Sequence, residues 1–162
     1  MAIALLTLAL VGTLSLLGSI LGGYRVPGGA PALMRAHFLL ALVSTMLLVM
    51  AHSFIMFFLI ATGVEMKDME KEKGWGDSFR KRTVAMKGKV FPAMTFALLL
   101  VIANFILGAA AHTKAMPAVV HEGLAWTTFA ACLYTLFREW QVLGENNRLI
   151  DEAATRRRKP AE

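Results

Sequence analysis

The four histidines have the widest chemical range of any residues in this chain. Neutral imidazole binds haem iron, copper or zinc, and it titrates near neutral pH. His112 and His121 fall in GAAAHTKAMPAVVHEG, on either side of a short turn between two apolar segments. His37 opens a further apolar segment, and His52 lies fifteen residues along it. Glu122 adjoins His121. Three imidazoles and a carboxylate, His37, His112, His121 and Glu122, make a donor set for a metal ion. Two imidazoles from different helices, facing each other, would instead hold haem b at both axial positions.

Other chemistry is sparse. The single cysteine, Cys132, forms no internal disulfide and no CxxC motif. No glycine-rich phosphate loop, zinc-protease helix motif or internal repeat is present. No nucleophile or acid/base pair stands out. The ten methionines read as adaptable packing rather than ligands.

The elements that must position these histidines are long and apolar. Of 162 residues, 57% are hydrophobic, too many for an ordinary soluble domain of this size. The charges gather in two blocks, residues 65–89 and 138–162, with almost uncharged runs between them. Four runs have spanning length, about 3–22, 36–63, 91–111 and 119–137. A helix of ~20 residues crosses a ~30 Å hydrocarbon core. Barrel strands are excluded, because the runs do not alternate and are too long. The first run lacks a basic n-region and an A-x-A-like cleavage site, so it reads as a retained helix. The expectation is an all-α, antiparallel up-down membrane four-helix bundle in one domain, with cytoplasmic helix extensions. Residues 138–162 form an amphipathic extension and basic tail.

Orientation follows from lysine and arginine. Of the 17, eight lie between residues 64 and 90 and six lie after 137. Only Arg25, Arg35 and Lys114 fall in the other two loops. Both termini are therefore expected in the cytoplasm, in an inner or plasma membrane. The net charge of +6 reads as a topogenic signal and a contact for anionic lipid. Nucleic acid is disfavoured as a partner, since no soluble domain carries a binding face.

Punctuation refines the picture. GYRVPGGAPA, residues 23–32, is an outer loop. Gly18 and Gly22 make a G-x-x-x-G pair suited to close helix packing. The second helix should run on through mixed charge until GWG breaks it. Pro92 and Pro117 suit first turns of the third and fourth helices, where a missing N–H costs nothing.

This topology puts His37, His112 and His121 in one outer layer supplied by three helices. His52 lies roughly 22 Å deeper at 1.5 Å per residue. Fifteen residues is close to four turns, so His37, Ala41, Ser44, Leu48 and His52 form one stripe. Asn104, Gly108 and His112 form another, and intramembrane polar residues normally face the interior. Asn104 is expected to be buried, with Ser44 and Thr127 at matching depth. His52 has no histidine partner at its depth, so Thr95 and Thr135 are the expected hydrogen-bond partners and Met94 the one possible axial ligand.

The architecture resembles the small multi-helix membrane anchors of respiratory complexes, some of which bind haem b between helices. That resemblance implies a non-catalytic subunit of an electron-transfer assembly. Other membrane subunits would be its partners, with a cytoplasmic partner at the helix extensions and haem b or quinone at the outer layer. The chain lacks the paired intramembrane histidines that a two-haem arrangement needs. The alternatives are a structural subunit without cofactor, or a small metal-handling protein or transporter. Coupled transport is disfavoured by the expected lack of mid-membrane acidic or basic residues.

Overall fold

The computed structural model describes residues 1–27 and 29–158. Four helices account for nearly all of them: α1 (Ala2–Gly23), α2 (Pro31–Lys73), α3 (Ser78–His112) and α4 (Ala118–Arg158). Among the described residues there is no strand. α1, α2 and α3 are each long and apolar enough to cross a membrane. The apolar stretch of α4 is interrupted by His121, Glu122 and three threonines.

Consecutive helices pack side by side, and α4 returns against α1. Close approaches set the register. Gly12 seats the backbone and side chain of Leu48, Phe38 lies against Phe105, and Thr135 reaches the carbonyl of Ala93. Among the glycines of α1, Gly12 makes the closest approach to α2, and Gly18 also packs on it, against Leu40. A Cβ on Gly12 would lie 3.0 Å from Leu48, whereas one on Gly22 would meet nothing within 4 Å.

The bundle is apolar outside and partly polar inside. Leu14, Val43, Phe54, Phe57, Phe96, Leu99, Ile106 and Phe137 are exposed. Thr13, Ser44, His52, Asn104, Thr128, Thr135 and Glu139 are buried. A soluble bundle has the reverse distribution. In lipid, helices gain little by hiding leucine from the solvent, so small and polar residues fill the contacts. Two apolar clusters complete the interior. One gathers Leu16, Leu48, Ala97, Val101 and Cys132, and the other Ile55, Leu59, Val90, Met94 and Val142.

Below the start of α1 only α2, α3 and α4 continue, as a charged three-helix stub. α2 ends just before GWG, where the sequence pattern expects its break, but that pattern starts the third helix near residue 91. Instead α3 begins at Ser78, and Pro92 lies inside it. Pro92 removes one backbone donor to the preceding turn. The Arg138 guanidinium donates to the Lys89 carbonyl in that turn, at 3.3 Å. The short turn is fastened by Glu70. Its backbone carbonyl accepts from Gly74, which is left-handed at φ 64°, and from Trp75. Its buried carboxylate accepts from the backbone N–H groups of Phe79 and Arg80, at 2.6 and 3.3 Å. One residue thus ends α2 and caps α3, where the helix dipole favours an anion. Arg156 covers Trp75 at 4.9 Å, and Arg82–Glu152 and Lys89–Glu145 bridge α3 to α4 on the surface.

Candidate functional site

The structure sorts the polar residues into two sites at different heights. One lies at the loop end, near the α1–α2 and α3–α4 loops. The other lies near the charged stub.

At the loop end, His37 is half-buried on the first turns of α2. Its Nδ1 is 3.0 Å from the carbonyl of Ser19 on α1. A carbonyl only accepts, so Nδ1 carries the proton and Nε2 of the neutral ring is left with a lone pair. The ring lies over Gly23, where a Cβ would come within 3.2 Å of it. His121 repeats the device on the other hairpin. Its ring lies on Gly108 of α3, where a Cβ would stand 3.0 Å away. His37 on α2 and His121 on α4 lie at the same end of the bundle. Nδ1 of His121 is buried without a partner. Glycine at positions 23 and 108 is what lets the Cε1 edge of an imidazole come this close to the neighbouring helix.

His112 and Glu122 do not join them. His112 is the exposed last residue of α3 and lines a shallow apolar groove with Met34, Arg35, Phe38 and Leu39. Glu122 accepts from the Tyr24 hydroxyl, which in turn accepts from Trp126 Nε1 at 3.0 Å. That chain ties α4 to the end of α1 on the outside of the bundle. Among the described residues no group of three or more His, Cys, Asp or Glu side chains is placed to hold a metal ion. The expected three-helix layer is thus reduced to a pair. Helix phase is the reason, since His112 and Glu122 share its height but project elsewhere.

Between the two sites, Asn104 is buried and its Oδ1 has no partner. Ser44 is buried but donates to the Ala41 carbonyl. Thr127 is exposed and bonds the Gly123 carbonyl, so it is no partner for Asn104. Its neighbour Thr128 holds the inward position, since one residue is about 100° of helix.

The deeper site is built around His52, fully buried on α2. Thr95 is exposed, and Thr135 is committed to Ala93, so neither serves it. Its partner is Glu139 of α4, also fully buried, with Nδ1 2.5 Å from Oε1. Nothing in the sequence had singled out Glu139, because it lies in a charge-rich block. An inward-phase reading of α4 would have found it. Ala125, Thr128, Cys132, Thr135, Glu139, Val142 and Asn146 are all buried and step by three or four. His52 Nε2 and Glu139 Oε2 are both without partners. Two turns further on, Asn146 donates to Thr62 at 3.3 Å.

Comparison with protein-family models, with curated proteins and with solved structures finds no match. The functional reading therefore rests on these side chains alone.

Proposed function

We propose that the chain is a four-span membrane subunit of a larger respiratory or electron-transfer complex, with both termini cytoplasmic and an outer-leaflet redox site at His37 and His121. The observation that carries this is the paired seating of the two imidazoles. Each lies on a glycine of the neighbouring helix, and the His37 Nδ1–H is held by a backbone carbonyl. Fixing one ring nitrogen so orients the other, a frequent arrangement for a ligating histidine. His37 and His121 would hold haem b through their ring nitrogens, and the bound group would supply one-electron transfer. A quinone headgroup hydrogen-bonded by the same nitrogens is the other occupant with matching chemistry. His112 stands apart from this pair, and Glu122 is engaged by Tyr24.

α4 is taken as the fourth span because it runs beside α3 and α1 through the same layer. The exposed apolar belt fits lipid, and the fourteen-to-three split of basic residues gives the orientation. Other membrane subunits are the expected partners, and the three-helix stub is the expected dock for a cytoplasmic one.

The reduced-minus-oxidised absorption spectrum of protein purified from haem-replete membranes tests the site. Haem b bands should appear in the wild type and vanish in both His37→Ala and His121→Ala. They should persist in His112→Ala and His52→Ala. A wild type with no haem bands and no co-purifying quinone would sink the redox reading and leave a structural subunit.

A further inference from the structure

We propose that His52 and Glu139 form an exchangeable proton-binding dyad inside the bundle. The inference rests on the membrane reading but not on any cofactor at the loop end.

The dyad sits at the seam between the two apolar clusters, with Leu48 and Cys132 on one side and Ile55 and Val142 on the other. Gly12 packs on Leu48, so His52 is level with about Leu8 of α1. The start of α1 lies six residues nearer the charged end, roughly 9 Å at 1.5 Å per residue. The pair is thus enclosed within the layer covered outside by Phe54 and Phe57.

Its protonation states follow from the atoms. With Nδ1–H donated to a carboxylate and Nε2 bare, the pair carries a net charge of −1. A lone charge in an apolar interior is strongly disfavoured. One proton from water, added to Glu139 Oε2 or His52 Nε2, makes the pair neutral. Those are the two atoms of the pair without partners. The step forms one O–H or N–H bond, breaks one O–H bond of the donor, and moves no electrons.

Among the described residues no lysine or arginine makes an ion pair with Glu139. α1 has no ionisable side chain, and α2 has none other than histidine between Arg35 and Glu65. On α3 the Lys89 ammonium is bound to Glu145, and Lys87 lies over Gly63. On α4 the Arg138 guanidinium donates to the Lys89 carbonyl and to Gln141, and Cys132 is two turns away. A purely structural ion pair would be expected to use all its polar atoms; this one leaves two open.

Infrared difference spectra of the full-length protein in nanodiscs, recorded across pH in H2O and D2O, test the proposal. A protonated-carboxyl C=O band should grow as pH falls and shift in D2O. It should be absent in Glu139→Gln, which keeps an oxygen for the Nδ1–H, and unchanged in Glu145→Gln. Above the midpoint it should fall about tenfold per pH unit. His52→Gln should move that midpoint, as a merely structural neighbour would not. The proposal is overturned if no Glu139-dependent band changes over the pH range in which circular dichroism shows the helices intact.

Discussion

At the loop end His37 and His121 are half-buried, each against a glycine, with ring nitrogens not matched to any acid. Near the charged end His52 is fully enclosed and its Nδ1 is 2.5 Å from Glu139. The same residue type thus meets two different environments. An imidazole pair with open nitrogens and a neighbouring water interface suits a ligand. An imidazole locked to a carboxylate within packed leucine, isoleucine and valine suits a proton. What separates them is the second helix face. α3 offers His121 a glycine to lie on, and α4 offers His52 a carboxylate.

Breaking the deeper pair should have the largest effect on stability. Glu139→Leu alone leaves His52 buried and unpaired, and should cost about 3–5 kcal/mol in detergent unfolding. The double variant His52→Leu/Glu139→Leu should recover most of that, because an apolar pair removes the penalty along with the attraction. Equal destabilisation of single and double variants would mean the two residues do not act as a pair.

The loop end should respond to crowding rather than to charge. Gly108→Val puts branched carbons where the His121 ring lies, and should cost about 1–3 kcal/mol or push the ring aside. Gly22→Val, on an open position, is the control and should be nearly silent in the same unfolding measurement. At the opposite end, Glu70→Ala removes the cap of α3 and should cost about 1–2 kcal/mol, with Glu70→Gln recovering part of it. Amide exchange at Phe79 and Arg80 should rise in step.

The smallest effect belongs to Asn104. Its Oδ1 has no partner, so Asn104→Leu should change stability by no more than about 0.6 kcal/mol. A larger loss would give Asn104 a bonded role that the arrangement lacks.

Part of this was legible in the residues. The apolar runs gave four helices, and the fifteen-residue spacing gave the inward stripe from Ser44 to His52. Three things escaped. The start of α3 at Ser78 escaped, because Pro92 looks like a first-turn residue and half of the fourteen residues before it are polar or charged. Thr127 matched Asn104 in depth, but depth does not fix phase, and Thr128 is the inward one. Glu139 is 87 residues from His52, and no local pattern joins them. Its signal was the three-and-four spacing of α4 carried past Arg138, where charge suggested a solvated face.

All of these comparisons rest on the bundle lying in a membrane with its charged end inside the cell. Single cysteines at Ala115 and at Ser78, in a Cys132→Ala background, test that directly with an impermeant thiol reagent on intact cells. The account predicts labelling at residue 115 and none at 78 until the cells are lysed. Labelling of both positions, or of 78 alone, would contradict it.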